Sequence, residues 1–315
     1  MRILIDIGGT YARFALANKE GGYTKMRKYE AALHESFEAA LSLYLKEEAL
    51  EERGSLRIAI AGYIDQDVWK LTNKNEWVIS PKALEQAGWD IEAILNDFEA
   101  NVWAIPTFTG EDIKTLRSSS EPASPHKCLV GPGTGLGLGY LLKDKNDHYS
   151  VLRTHGGHMP AAIMSDEQWM VAQIVSRSKA RSSCLSFEEL VSGYGLLNLY
   201  NACCLMDGVE PAFSRVRDLP AHKDTPQVKR ALKLFHEFFG QFAASMVITG
   251  HAYGGLYICG GVIERLDEID LWDFSAFEKA FSIHSVEAVA QDLARTPIHH
   301  ILEPTPALRG LSRYA

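Results

Sequence analysis

Apolar residues in the first part of the chain come in short, strand-like runs punctuated by glycine. Residues 2–7 (RILIDI) are apolar and β-branched apart from Arg2 and Asp6, and Gly8-Gly9 ends them in a turn. Residues 12–17 (ARFALA) repeat the pattern, Gly21-Gly22 marks the next bend, and 23–29 predict a third strand. The opening therefore predicts a β-meander with glycine at its corners. The period then changes. Phe37, Leu41 and Leu45, with Ala40 and Tyr44, share one helix face. Residues 56–61 (LRIAIA) form a continuous apolar run of the buried-strand kind. Ser80-Pro81 starts a helix, with serine as N-cap and proline at the first helical position, and Gly88 closes it. Residues 91–95 predict a short strand ending at Asn96-Asp97, and 99–105 a helix before Pro106.

Residues 107–126 are polar and rich in serine and proline, which predicts a linker. A new strand starts at Lys127 and runs into the glycine-alternating segment 131–139 (GPGTGLGLG). Beyond it the pattern is mainly helical. Ser165 with Gln168, and Ser186 with Glu189, match the capping box. Thr225-Pro226 opens a long helix carrying Leu232, Phe235, Phe239, Phe242 and Met246. Residues 256–259 predict a strand ending at Gly260-Gly261, and 299–302 the last strand. No repeat of about 20–50 residues recurs, and the alternation of strands and helices predicts two α/β domains.

Length agrees, since 315 residues make about two domains of roughly 150. With 46% hydrophobic and 23% charged residues, the chain is of the ordinary globular kind, not disordered or fibrous. Lys+Arg number 32 against Asp+Glu 40, a net charge of -8. That balance lacks the positive field that holds a nucleic-acid backbone and argues against such a partner. A few local donors still suffice for a small anion. The first apolar run is too short for a signal peptide, and no stretch approaches about 18 uninterrupted apolar residues. The expectation is a cytoplasmic chain with no membrane partner. Cys128, Cys184, Cys203, Cys204 and Cys259 are odd in number and lack CxxC spacing, so free thiols are expected rather than a zinc site.

Three glycine turns carry candidate chemistry. Asp6-Ile-Gly-Gly-Thr-Tyr-Ala-Arg13 combines backbone N–H groups that an anion can approach, the Thr10 hydroxyl, the Arg13 charge and a carboxylate able to hold Mg²⁺ through water. The competing reading is a plain hairpin turn with a solvated Asp6. Residues 131–139 match neither GxxxxGK[ST] nor GxGxxG. Alternating glycine leaves one face bare, which suits close approach of a ligand or tight sheet packing. Gly260-Gly261 alone is weak. Asn96-Asp97 lies at the carboxyl end of a predicted strand, where α/β sheets present ligand groups. Asp97 there is either a general base toward a hydroxyl or a helix cap. His155-Gly-Gly-His158 suits a metal or polar contacts to a small ligand. Glu188 suits a ligand contact or the positive end of a helix.

Taken in order, Asp6-x-Gly-Gly-Thr-x-x-Arg13, Leu71-Thr-Asn73, Trp77, Ser80, Asn96-Asp97-Phe98, Gly133-Thr-Gly-Leu-Gly137, Gly156-Gly157-His158, Glu188 with Ser192-Gly193, Gly260-Gly261 and Pro306-Ala-Leu-Arg-Gly310 resemble the bacterial glucokinase family. This family lies within the hexokinase/actin-like ATPase superfamily, and the resemblance spans residues 2 to about 311. It implies a two-domain α/β actin-like ATPase (ribonuclease H-like) fold with a central cleft. The small domain would be 1–107 plus about 295–315, the large one 108–294. It also implies an ATP-dependent hexose kinase using Mg²⁺, commonly a homodimer. Asp6, Gly8, Gly9, Thr10 and Arg13 would form the first phosphate loop, Gly133, Thr134 and Gly135 the second, and Gly260 and Gly261 the adenosine-side turn. Asn73, Asn96, His155, His158 and Glu188 would face the sugar, with Asp97 taking the proton of the hexose 6-hydroxyl. A kinase for a different hexose or a C2-modified sugar, or a non-catalytic sugar- or ATP-binding regulator, is the alternative.

The chain departs from that pattern at His155, where the family has glutamate contacting hydroxyls at the C1/C2 end of the sugar. A carboxylate only accepts hydrogen bonds, whereas a neutral imidazole both donates and accepts. Gly62-Tyr63 in place of Cys-Pro and Met159-Pro160 after His158 are further departures.

Overall fold

The computed structural model describes residues 1–50, 53–64, 69–71, 77–178 and 184–314. The chain forms two compact units, Met1–Thr109 with Glu303–Ala315, and Gly110–Leu302.

In the first unit, β1 (Arg2–Ile7), β2 (Tyr11–Ala17) and β3 (Tyr23–Glu30) make the antiparallel meander. Helix α1 (Phe37–Glu47) follows, capped by Ser36, and leads to β4 (Ser55–Ile60), which lies parallel to β1. A small antiparallel sheet of β5 (Gly62–Ile64), β6 (Trp69–Leu71) and β7 (Val78–Ile79) comes next, then α2 (Pro81–Gln86) behind its Ser80 cap. Strand β8 (Asp90–Asn96) joins β4 in parallel, giving the order β3-β2-β1-β4-β8. Both sheet faces are covered, which explains the continuous apolar runs. Ile3, Ile5, Ile7, Leu56, Ile58 and Ile60 pack with Phe37, Leu41 and Tyr44 of α1. The alternate residues Leu4, Ala15, Ala59 and Leu95 pack with Ala100 of α3 (Asp97–Ala104) and with Ala307, Leu308 and Leu311 of the C-terminal helix Pro306–Arg313.

In the second unit, β9 (Ile113–Arg117), β10 (Lys127–Pro132), β11 (Leu136–Lys143), β12 (Tyr149–Arg153), β13 (Leu256–Ile258) and β14 (Ile298–Ile301) form a sheet of order β12-β11-β10-β13-β14-β9. Its first five strands in that order repeat the directions of the first sheet, with an antiparallel hairpin followed by two parallel partners. Helices α4 (Asp166–Arg177), α5 (Gly193–Asp207), α6 (Pro226–Thr249), α7 (Gly261–Glu268), α8 (Phe274–Ser282) and α9 (Glu287–Arg295) complete it before α10 (Pro306–Arg313) returns to the first unit. The core centres on Phe235, Phe238, Phe239 and Phe242 of α6 against Phe277 and Phe281 of α8. Among the described residues, no helix is long and apolar enough to cross a membrane.

Four sequence expectations change. The polar stretch 107–126 is not only linker, because β9 within it pairs antiparallel with β14. The return to the first unit comes at Glu303 rather than about 295, because β14 is bonded to β13 and β9 of the second sheet. The Ser186/Glu189 capping box is present but opens only a 3₁₀ turn, Phe187–Glu189. Ser165 caps α4, yet the Gln168 side chain reaches Met164 N–H rather than completing a box with Ser165.

Candidate active site

Each unit carries its own set of groups. In the first, β1, β4 and β8 run parallel, and the register aligns Asp6 with Ala59 and Ala59 with Leu95. Asp6 and the Asn96-Asp97 pair thus emerge at the carboxyl ends of strands, where parallel sheets present functional groups. The β1–β2 turn holds Gly8, Gly9 and Thr10, with Gly8 N–H bonded to the Tyr11 carbonyl at 2.9 Å and Thr10 exposed. Arg13 sits opposite Asp6 across the hairpin and its Nη1 donates to Asp6 Oδ2 at 2.8 Å. Burial pushes the Asp6 carboxyl up, and the Arg13 guanidinium pulls it back down.

Asn96, not Asp97, caps α3: its Oδ1 accepts Phe98 N–H at 3.0 Å. That frees Asp97, the first helical residue, from the capping task. Burial, then the negative charge of Asp6, push the Asp97 carboxyl up to about 6, while hydrogen bonds from the Phe98 and Asp97 amides and the Asn96 side chain hold it down. A carboxylate with that proton affinity accepts a proton from a hydroxyl more readily than an ordinary aspartate. Asn73 lies outside the described residues, as do the side chains of Tyr63 and Leu71.

In the second unit the glycine-alternating segment is the β10–β11 hairpin. Gly131 pairs with Gly137, so both strands lack a side chain on one face next to the turn, while Gly139 on that face lies opposite Leu129. The turn between them is Gly133, Thr134 and Gly135, closed by Gly133 N–H to the Gly135 carbonyl at 2.8 Å. Two helix N-termini border it. Gly193 N–H, the first of α5, donates to the Gly133 carbonyl at 2.9 Å. Gly260 precedes α7 at φ 104°, and a Cβ there would meet the Pro132 carbonyl oxygen at 2.6 Å. Side chains added at Gly133 or Gly261 would meet nothing within 4 Å. An open glycine turn flanked by two helix N-termini offers backbone N–H groups and positive dipole ends, which suits a phosphate chain.

Glu188 and the turn that carries the imidazoles pack against Gly135 and Leu136 of that hairpin. Gly156–His158 form a 3₁₀ turn in which Gly157 packs directly on the Leu136 carbonyl. His155 and His158 are exposed, with ring centres 6.3 Å apart. Glu188 Oε2 accepts Leu136 N–H at 2.9 Å, and Oε1 lies 3.7 Å from His158 Nδ1. A Cβ on Gly135 would come within 2.6 Å of Glu188 Oε2, so glycine at 135 is what lets the carboxylate reach the loop. Glu188 thus lies in the first turn of the capped 3₁₀ segment Phe187–Glu189, and its carboxylate is bound to the glycine turn. Sequence reasoning missed the Leu136 amide and the Tyr194 hydroxyl, which donates to Glu188 Oε1 at 3.2 Å. A tyrosine between two glycines directly after the Ser192 cap was the available signal.

The glucokinase family model matches residues 3–315. A glucokinase of Allorhizobium ampelinum is 31% identical, covering 98% of this chain and 90% of that protein. One of Nitrobacter hamburgensis is 32% identical, covering 99% and 96%. The crystal structure of a glucokinase from an Antarctic psychrotroph shares the fold with a TM-score of 0.83 at 24% identity, covering 99% and 97% of the two chains. The two-sheet α/β fold is that of the actin-like ATPases, and the chain belongs to the glucokinase family.

Proposed function

We propose that this chain moves the terminal phosphoryl group of ATP onto the 6-hydroxyl of glucose with Asp97 as the base. Membership of the glucokinase family makes it a glucose kinase that uses ATP. What carries the role of Asp97 is its place at the end of β8, free of capping duty and with a carboxyl pushed up to about 6. The 6-oxygen attacks the terminal phosphorus, its proton passes to Asp97, and ADP leaves with the electrons of the broken P–O bond. The Gly8–Thr10 and Gly133–Gly135 turns position the phosphates through amides other than those of Gly8 and Gly133, which close the turns, with Gly260 and Gly261 on the adenosine side.

Magnesium ion, when bound, neutralises charge on the transferring phosphates. Asp6 fits such an ion through water. Among the described residues no group of three or more His, Cys, Asp or Glu forms a metal cage, and a nucleotide-borne Mg²⁺ needs only one or two carboxylates. Asn73, Asn96, His155, His158 and Glu188 contact the sugar. The same reading includes a cytoplasmic location and neither nucleic acid nor membrane as partner.

An ADP-release assay over a hexose panel tests the function. Glucose is expected as the best substrate, and no turnover with any hexose would favour a sugar-binding regulator instead. His155 replaces an acceptor-only carboxylate by a group that donates once and accepts once. His155→Glu should therefore change the relative rates on glucose, mannose, glucosamine and 2-deoxyglucose; an unchanged ranking would remove His155 from the specificity of the C1/C2 end. A homodimer is also part of the reading, supported by the exposed apolar side chains Met164, Trp169 and Met170 at the start of α4. Sedimentation velocity should then give twice the chain mass, and Trp169→Glu should shift it toward the monomer.

A further inference from the structure

Both oxygens of Glu188 are engaged within the second unit. Oε2 accepts the Leu136 amide and Oε1 the Tyr194 hydroxyl. An ionised carboxylate has about four acceptor sites, so these two bonds leave roughly one on each oxygen. That remaining capacity suits two neighbouring hydroxyls of a sugar. Tyr194 is itself well anchored. It follows the Ser192 cap at the start of α5, where Ser192 Oγ accepts Gly195 N–H at 3.0 Å and donates to the Glu188 carbonyl at 2.7 Å. The backbone that carries Tyr194 is thus tied to that of Glu188. Burial and the neighbouring Glu188 charge raise the Tyr194 pKa, so the phenol stays a donor throughout the neutral range. His158, the third group at Oε1, stands farther off at 3.7 Å.

We propose that Tyr194 is a positioning residue for the sugar: its hydroxyl fixes the rotation of the Glu188 carboxylate and thereby its match to paired hydroxyls of the hexose. The terminal carboxylate torsion of glutamate is intrinsically broad. Without Tyr194, the Leu136 amide is the remaining hydrogen bond to it among the described residues, and the oxygen nearer His158 is left to wander. The inference rests on Glu188 contacting the sugar, as in the function proposed above. It assigns no role in the chemical step, which belongs to Asp97.

Tyr194→Phe removes the hydroxyl and keeps the ring. With one hydrogen bond to a charged acceptor lost, KM for glucose should rise about tenfold. The turnover number, KM for ATP and Tm should stay within about twofold or a degree or two, which a merely structural role would not produce. Calorimetric titration of glucose should give the same rise in Kd. In a Glu188→Gln background the added Tyr194→Phe change should alter glucose Kd by less than about twofold, because a positioning residue has no effect once its target is altered. An unchanged glucose KM in Tyr194→Phe, or an equal effect in both backgrounds, would overturn the proposal. The controls separate its failure from that of the functional reading. Wild type active, Asp97→Asn inactive and Tyr194→Phe unchanged would sink Tyr194 alone, whereas a wild type inactive on every hexose would sink both.

Discussion

Asp97→Asn should lower kcat by about 10²–10⁴ and at the same time make the free protein more stable. Asparagine keeps the shape and the hydrogen bond from the Asn96 side chain but cannot take a proton. The loss should fall on kcat and kcat/KM together, because the proton moves only in the transition state. In the wild type, kcat/KM should decline about tenfold per pH unit below about 6, where the Asp97 carboxyl becomes protonated. The residual activity of Asp97→Asn should lack that limb. The stability sign follows from the same shift. The folded-state pKa is raised from 3.8 to about 6, so between those values the folded protein holds a proton that the unfolded chain has lost. The contribution of Asp97 to stability therefore falls as pH rises from about 4 to about 6 and stays lost above it. Near pH 7.5 the asparagine variant, free of the buried charge beside Asp6, should gain up to about 3 kcal/mol, at about 1.4 kcal/mol per tenfold change in proton affinity. Activity within about tenfold of wild type, or a Tm below wild type, would remove Asp97 from the role of base.

Gly310→Ala should cost the most stability for the smallest change in the sequence. Helix α10 crosses α3 so closely that a Cβ at 310 would overlap the Ala100 carbonyl oxygen and lie 3.1 Å from Ala104 N. The obstacle is backbone, so no side-chain rotation relieves it. The helices must separate, at about 1–3 kcal/mol and upward. The C-terminal end of α10 is held in turn by Arg57, whose Nη1 donates to the Leu311 carbonyl at 3.0 Å and the Tyr314 carbonyl at 2.6 Å, so the shift cannot dissipate at a free end. A Tm loss of about 5–10 °C is expected. Because α3 begins with Asp97, kcat should fall as well. Gly110→Ala serves as the control, since its Cβ meets nothing within 4 Å. Equal Tm values for the two variants would contradict the close packing.

The elements near the catalytic groups were legible because local chemistry dictates them. β-Branched runs closed by Gly8-Gly9 and Gly260-Gly261 gave strands that end where expected, and Ser80-Pro81 gave a helix start. The glycine alternation of 131–139 placed Gly131 and Gly137 opposite each other beside the turn, because a period of two follows from the strand itself. Strand β9 was missed for the opposite reason. It is an edge strand, half exposed, and its pairing partner β14 lies at the far end of the second unit's sequence. The choice between Asn96 and Asp97 as cap was also beyond sequence reasoning, since both residues cap helices well and they differ by one position. Tyr194 stands between two glycines just after the Ser192 cap, a local signal that does not name its partner, and its hydrogen bond to Glu188 is what brings it into the site.

Strand β9 begins just after the chain enters the second unit, and β14 ends just before it leaves. Ile113 pairs with Ile301, and Leu302 N–H reaches the Asp112 carbonyl at 2.7 Å. The outgoing and returning chains are therefore clipped together at the point of insertion. To the first unit, the whole of Gly110–Leu302 then behaves as a short connector. Joining α10 to α3 across an unfolded insertion of that length would cost about 3 kcal/mol more than across a few residues. The sixth strand thus acts as an internal tether that raises the effective concentration of the C-terminal helix, so that folding of the inserted unit assists completion of the unit that carries the base.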